Sequence, residues 1–356
     1  MMLLAIGRGI LVAAGLAVAA PAFAAQAPAK RVDSAARSTA RVHGSTVPKI
    51  DAAQQHFDSA QTFQLAGDFE HAAKEYRQAI AIGLDHLGNL QTASHDYAAA
   101  EHLLQQASAA DPDNPDPAVD LAITNLYSGE IEKAETNTKA VLQKNPDHVR
   151  ARVLLGKIDF LQGNYQSAAD ELQAALAQAT DFDVAYSLAL ADLELKKTSL
   201  ATVLFDEMKN SLPESAQLHV LIGRAFLATD YPQLAAKEFE HAANLDSKYS
   251  QVHFYLGVAS WLSSQAPDVA AGERQSEVAK AETSLQEAVR VQPQDSRAFF
   301  YLGRCYAAQQ QWAKAAEAYR SVINLAPAAQ QNEAAMAGAY EGLADALRKL
   351  GKNSEA

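Results

Sequence analysis

Three histidines and the carboxylates beside them are the residues of this sequence whose types and spacing best suit metal chemistry. The group consists of His86, His95 and His102 with Asp85, Asp96 and Glu101. Imidazole and carboxylate groups are common ligands of zinc and iron in proteins. We expect these residues to lie on two helices and the intervening turn, where solvent-facing polar side chains are the simpler interpretation. A metal-dependent enzyme that uses this region stays open as an alternative.

Other catalytic patterns are missing from the sequence. It contains no Gly-x-Ser-x-Gly turn, no Gly-x-x-x-x-Gly-Lys phosphate loop and no His-Glu-x-x-His helix. The single cysteine, Cys305, excludes an internal disulfide and a cysteine-based metal cluster, because each needs more than one thiolate. We therefore predict that the chain is not an enzyme, that it needs no cofactor or metal, and that Cys305 is a small buried filler.

The composition is that of a folded acidic protein. Of the 356 residues, 49% are apolar and 20% are charged, which is enough to bury one or two cores. The net charge of −12 argues against a nucleic-acid binder, which needs a local excess of Lys and Arg to neutralise phosphates. Residues 1–50 hold six Lys and Arg against one Asp, a net of +5, which leaves −17 for residues 51–356.

The N-terminal residues follow the three-part pattern of a secretory signal peptide. Arg8 precedes an uncharged run over residues 9–20, and Ala22, Phe23 and Ala24 follow Pro21. An uncleaved membrane anchor is the alternative, but this run is shorter than the roughly twenty apolar residues that span a bilayer. We predict a signal peptide at residues 1–24, a basic flexible linker at residues 25–50, and a periplasmic or secreted protein with no transmembrane segment after cleavage.

From residue 51 onward, a pattern of large and small residues recurs with a period of 34. Pro112 and Pro146 are 34 positions apart, as are Pro293 and Pro327. One copy of the pattern is Phe299, Leu302, Gly303, Tyr306, Trp312, Ala315 and Tyr319, and another is His219, Ile222, Gly223, Phe226, Ala235 and Phe239. The small residue of the first helix recurs as Ala60, Gly88, Ala122, Gly156, Ala189, Gly223, Gly257, Gly303 and Ala344.

This pattern resembles the tetratricopeptide repeat. The resemblance implies an all-α fold, a right-handed superhelical solenoid of about eight helix-turn-helix units with a C-terminal capping helix, over residues 51–356. The expected units lie near residues 53–80, 81–114, 115–148, 149–181, 182–215, 216–249, 250–295 and 296–329, and the cap lies at residues 335–351. Each repeat leaves an apolar face that only a stacked neighbouring repeat can bury.

Two departures from the period predict irregular structure. Ala60 and Gly88 are only 28 positions apart, which predicts a shortened helix around residues 82–86. Gly257 and Gly303 are 46 positions apart, and the surplus falls in the polar residues 263–278. We expect these residues to form a surface loop between the two helices of the seventh repeat.

The resemblance also implies where a partner binds. In this family the first helix of each repeat lines the concave side. Some side chains of these first helices must instead pack between repeats. The predicted protein-binding residues are Val153, Lys157, Phe160, Tyr186, Leu193, Arg224, Leu227, Phe254, Trp261, Phe300 and Arg304. The carboxylate clamp of some co-chaperones is absent, because Phe57 and Gln61 stand at its first positions.

We predict a non-catalytic scaffold that binds a peptide or helical segment of a partner in its concave groove, in envelope assembly or secretion. The alternatives are a self-associating structural protein, which would form a homo-oligomer, and the metal-dependent enzyme described above, with residues 263–278 as a second candidate location for its site.

The signal-peptide pattern makes a prediction about processing. When the full chain is expressed in a Gram-negative bacterium, the mature protein should begin at or next to Ala25, because small residues at Ala22 and Ala24 suit signal peptidase. Intact-mass measurement of protein released by osmotic shock checks this. Recovery of membrane-bound material that retains Met1 would contradict it.

Overall fold

The computed structural model describes residues 49–249, 251–325, 333–352 and 355–356. The predicted signal peptide, nearly all of the basic linker and the end of the eighth repeat lie outside the described residues. These residues form two compact units, 49–196 and 197–356, called here the first and second units. Within the described ranges there are sixteen helices and no strand, which confirms the all-α repeat class.

The helices are numbered in chain order. The first unit contains α1 (Lys49–Leu65), α2 (Phe69–Ala93), α3 (Tyr97–Ala110), α4 (Asp116–Tyr127), α5 (Ile131–Lys144), α6 (Val149–Leu161), α7 (Tyr165–Leu176) and α8 (Phe182–Glu194). The second unit contains α9 (Thr198–Ser211), α10 (Ala216–Ala228), α11 (Pro232–Leu245), α12 (Val252–Ser264), α13 (Ala271–Val291), α14 (Ser296–Ala308), α15 (Trp312–Leu325) and α16 (Glu333–Lys349). Within each unit, helices that are adjacent in sequence pack as antiparallel hairpins, and successive hairpins stack.

Local sequence explains where many helices begin. The carboxylates of Asp68 and Asp96 accept hydrogen bonds from backbone N–H groups in the first turns of α2 and α3. Such capping satisfies donors that have no partner inside the helix. Pro232 starts α11, where the missing N–H of proline costs nothing.

Sharp turns between paired helices recur with the repeat period. The backbone has a positive φ at Gly67, His95, Gly129, Gly163, Lys196, Asp230 and Gln310. Successive members of this series from His95 to Asp230 are 33 or 34 positions apart, as the repeat demands. A residue in the left-handed conformation ends one helix and reverses the chain, and glycine does this without steric cost.

Helices within a pair approach closely at a glycine. A methyl group added to Gly156 would lie 2.7 Å from Leu172 Cγ, and one added to Gly223 would lie 2.6 Å from the Phe239 ring. The other close pairs are Gly88 with Leu104, Gly257 with Leu285, and Gly303 with Tyr319. Real Cβ atoms do not tolerate contacts this short. The large partner therefore occupies the space that the missing side chain leaves.

The first departure from the period has a different structure from the one predicted. Instead of a shortened helix around residues 82–86, α2 runs without a break over 25 residues. Its first half completes the first repeat, and its second half, with Gly88 against Leu104, begins the second repeat. The deficit of six residues has removed the turn that would otherwise separate two helices. The helix continues because residues 69–93 contain no proline and no two adjacent glycines.

The second departure also corrects the prediction. Residues 263–278 form a loop only in part, since α12 continues to Ser264 and α13 begins at Ala271, so that residues 265–270 alone connect the two helices. The surplus residues lengthen α13 to 21 residues, and Ser263, Ser264 and Val278 are buried. Residues 271–278 contain no proline and several good helix formers, which favours helix extension over a loop.

Helix α16 packs on α15 and closes the second unit. Its side chains Met336, Ala339, Ala346 and Leu347 are buried, whereas its charged side chains from Glu341 onward are exposed. A polar outer face is what a terminal helix of a repeat array needs. None of the helices that the structure describes combines the length and apolar character needed to cross a membrane.

Two glycines five positions apart in α2 give a matched stability test. Gly88→Ala should lower the free energy of unfolding by about 1–3 kcal/mol, because its methyl group would overlap the buried Leu104. Gly83 has no atom within 4 Å of an added methyl group. Gly83→Ala should therefore raise stability by about 0.5–1 kcal/mol through helix propensity. Urea unfolding of both variants checks the signs, and equal effects would refute close packing at Gly88.

Candidate functional site

The structure does not bring the histidine group together as a metal-ligand set. The Nδ1 atom of His95 hydrogen bonds to the Tyr97 hydroxyl at 2.9 Å, and His102 Nε2 lies 3.3 Å from Gln106 Nε2. In the part of the chain that the structure describes, no group of three His, Cys, Asp or Glu is placed to hold a metal ion. The geometry around residues 86–102 therefore lends no support to the metal-dependent alternative.

Cys305 is a packed thiol, as predicted from its position. It is 0% exposed, and burial raises the pKa of its thiol to about 12. Because the thiolate is the reactive form, Cys305 is protonated and inert at neutral pH.

In the first unit, the five predicted binding residues differ in exposure. Val153 and Lys157 on α6 are half-buried, whereas Phe160, Tyr186 and Leu193 are at most 5% exposed. The last three pack among the helices, where their truncation would leave cavities. Only the two half-buried side chains are open to a partner in this unit.

The cations of α6 are already neutralised within the first unit. The ion pairs join Arg150 to Asp116 and Asp120, Arg152 to Glu171, and Lys157 to Asp183. A charge that is paired and partly buried must give up its partner before it binds another anion. This arrangement makes Lys157 a poor orienting charge for a ligand.

The best-buried of these pairs belongs to a polar network. Asp120 is 4% exposed, receives a hydrogen bond from Asn89 at 3.0 Å, and also interacts with Asp85. Burial by itself would raise the pKa of Asp120, but the Arg150 guanidinium, the hydrogen bonds from Asn89 and Arg150, and the contact with Asp85 outweigh it. The pKa of Asp120 is therefore held below its ordinary value.

In the second unit, the cations of the first helices lie against aromatic rings. The guanidinium carbon of Arg304 is 5.3 Å from the centre of the Trp261 ring and 5.8 Å from that of Phe300. Arg297 lies 4.6 Å above the ring of Phe254. A guanidinium over a ring face is attracted by the ring quadrupole and leaves its in-plane N–H groups able to donate.

A similar contact joins α10 to α12. Arg224 lies 5.8 Å from the centre of the Tyr255 ring, and its Nε atom is shielded from solvent with no hydrogen-bond partner among the described residues. Leu227, one turn further along α10, is half-buried. The six predicted residues of the second unit thus lie on α10, α12 and α14, and cross-helix ring and cation contacts connect these helices in chain order.

Exposure separates these six residues. Phe254 and Trp261 are 7% and 5% exposed, so they support the surface from beneath. Arg224, Leu227 and Phe300 are half-buried and Arg304 is exposed, which leaves these four open to a partner. All eleven residues stay predictions as binding residues, and the structure identifies those that solvent reaches.

Three neighbouring residues were missing from the predicted set. Tyr255 and Tyr301 are half-buried beside Phe254 and Phe300, and Arg297 is exposed at the start of α14. Burial, opposed by the nearby cations Arg304 and Arg297, raises the pKa of the Tyr301 phenol. The paired aromatics at residues 254–255 and 300–301 are a signal in the sequence that could have identified both tyrosines.

Sequence profiles of known families match this chain in three stretches. One tetratricopeptide-repeat profile matches residues 119–184 and 271–332, and a second matches residues 91–136. In the matched residues, the 34-residue pattern is therefore a tetratricopeptide repeat. Repeats of this family generally mediate protein–protein interactions.

Known proteins share this architecture at low sequence identity. Superkiller complex protein 3 of Mus musculus is 28% identical over 145 residues, which are 39% of this chain and 9% of the mouse protein. A tetratricopeptide repeat protein from Parabacteroides merdae superposes with a TM-score of 0.50 at 10% identity, covering 82% of this chain and 99% of its own. Yeast Tom70 gives 0.48 at 16% identity, covering 86% of this chain and 63% of Tom70. At such identities the likeness extends to the fold alone.

The Asp120 network predicts a pH-dependent contribution to stability. Arg150→Gln should lower the free energy of unfolding by about 2 kcal/mol at pH 7, because it leaves a buried carboxylate uncompensated while Arg150 itself is half-exposed. A lowered pKa means that this contribution is present above the unfolded value of 3.8 and lost as the pH falls through the folded value. The difference in unfolding free energy between the wild type and Arg150→Gln should therefore decrease below about pH 4.

The measurement is urea unfolding of both proteins between pH 3 and pH 7. Arg290→Gln is the matched control, since Arg290 pairs with Glu287 only in an exposed contact one turn away. It should leave the unfolding midpoint almost unchanged. A difference for Arg150→Gln that does not depend on pH would show that the guanidinium stabilises by packing alone.

Proposed function

We propose that this chain, which carries tetratricopeptide repeats at residues 91–184 and 271–332, is a non-catalytic scaffold that binds a peptide or helical segment of a partner protein. The partner lies in the groove predicted along the first helices of the repeats.

One observation carries the proposal. On α10, α12 and α14 the exposed cation Arg304 and the half-buried Leu227 and Phe300 surround rings that are already fixed by packing. Pre-positioned aromatic and arginine side chains bind with little loss of rotamer freedom and dominate protein interfaces. A surface of this kind suits an extended or helical segment, because its solvent-reached side chains are spread over three successive first helices.

The same proposal includes export. The basic residue, apolar run and small residues of positions 1–24 support secretion to the periplasm or beyond. A partner would then be a component of envelope assembly or of a secretion system.

Self-association is the second candidate, and helix α2 favours it. Ile80, Leu87 and Leu90 are 56%, 44% and 66% exposed on one helix, and between Arg77 and Asp96 the only Asp, Glu, Lys or Arg is the buried Asp85. An uncharged apolar face of this kind on a soluble protein marks an interaction site. Light scattering of the purified mature protein distinguishes this role by a mass that is a multiple of the monomer.

Site-specific photo-crosslinking tests the proposed binding face. A photoreactive phenylalanine analogue at Leu227 or Phe300, on first helices, should form an adduct with a partner in the native envelope fraction. The same analogue at Leu200 or Val291, exposed by 55% and 37% on second helices, is the matched control and should form none. Adducts from the control positions alone would place the partner elsewhere, and adducts with a second copy would favour self-association.

A further inference from the structure

The two units differ in charge. The first unit holds ten Lys and Arg against twenty-three Asp and Glu, and the second holds fifteen against eighteen. Their net charges are therefore −13 and −3. Most of the negative charge of the chain belongs to residues 49–196. The second unit therefore repels an anion much less than the first unit does.

The first helices of the repeats show the difference most clearly. Helices α4, α6 and α8 of the first unit carry three cations and six carboxylates, namely Asp116, Asp120, Asp159, Asp183, Asp192 and Glu194. Helices α10, α12 and α14 of the second unit also carry three cations, Arg224, Arg297 and Arg304, but no Asp or Glu. The same repeat position thus has opposite charge character in the two units.

Two of these arginines have no acidic partner among the described residues. Arg297 pairs with Asp295 at 2.7 Å, whereas the guanidinium groups of Arg224 and Arg304 lie against aromatic rings. Together with Tyr255, Phe300 and Tyr301, Arg224 and Arg304 form what is called here the arginine–aromatic face. A guanidinium has five N–H donors, and stacking on a ring uses none of them.

Two carboxylates on second helices of this unit have partners of their own. Glu238 accepts from His219 Nδ1 at 2.6 Å and from Lys209 at 3.3 Å. Glu282 accepts hydrogen bonds from Gln286 and Gln309. Glu238 of α11 and Glu282 of α13 therefore have partners other than Arg224 and Arg304.

We propose that the arginine–aromatic face binds an acidic segment of a partner protein, with Arg224 and Arg304 each donating hydrogen bonds to a carboxylate and the rings packing against apolar residues between them. This inference rests on the proposed function and specifies the partner's chemistry. A planar guanidinium held on a ring offers a bidentate contact to a carboxylate, and the orienting stack reduces the entropy lost on binding. The first unit cannot do the same, because its first-helix cations are already paired with carboxylates.

A random twelve-residue peptide library displayed on phage tests the proposal against the full mature protein. Selected peptides should be enriched in Asp and Glu over the input library. Fluorescence anisotropy with one labelled selected peptide should show at least tenfold weaker binding to the Arg224→Gln/Arg304→Gln variant. Replacing Asp and Glu in that peptide by Asn and Gln should weaken binding similarly, and affinity should fall with added salt.

A variant of equal charge controls for the loss of two positive charges. Arg290→Gln/Arg320→Gln removes two exposed arginines from second helices and should bind like the wild type. Circular dichroism melts of both double variants confirm that each is folded.

Other outcomes separate the inference from the proposed function. Selected peptides that are neutral or basic would overturn the acidic partner while leaving peptide binding intact. No enrichment over a protein-free selection would contradict both. Sedimentation of the full chain tests whether a second copy of the protein occupies the face. If the wild type self-associates and the Arg224→Gln/Arg304→Gln variant does not, the face binds a second copy.

Discussion

Close approach of two helices at a small residue is the constraint on which each repeat depends. Where Gly156 or Gly223 faces its partner helix, the side chain opposite fills the space that a Cβ atom would take. The pair then buries one large side chain at its crossing, and the remaining apolar surface must be covered by the next pair. Tyr319 shows how strict this is, because its ring lies between Gly303 of α14 and Gly342 of α16. The position of the final helix is thereby tied to the last complete hairpin.

This constraint also explains how much of the fold could be predicted from the sequence. Small residues at a period of 34, with large partners at fixed offsets, indicate paired helices regardless of the loops between them. The period could not say what happens where it is broken. A deletion before Gly88 can shorten a helix or remove a turn, and a surplus after Gly257 can form a loop or lengthen α13. Those outcomes depend on local helix propensity and on which inserted residues find a buried position, as Val278 does.

The sequence predicted which helices carry the candidate residues but not how exposed these residues are. Repeat positions place Phe160, Trp261 and Arg304 on first helices, yet only Arg304 of these three is exposed. A repeat position specifies a direction from the helix axis, whereas burial depends on the size of the neighbouring side chains. The repeat pattern also could not predict the ion pairs, since the partner of Lys157 is Asp183, 26 residues further along the chain. The charge contrast between the two units could have been counted from the sequence once the boundary at residue 197 was known.

The uninterrupted helix α2 has a consequence for how the first unit unfolds. In a repeat array, each hairpin can open with a free energy of its own, because a turn separates its hydrogen-bonded helices from those of the next. Between the first two repeats there is no such turn, and the backbone hydrogen bonds of residues 69–93 form one ladder. Fraying that starts in the first repeat would propagate along this ladder into the second. Amide hydrogen exchange in these two repeats is therefore expected to follow a single cooperative opening, whereas the hairpins from Asp116 onward can exchange as separate blocks.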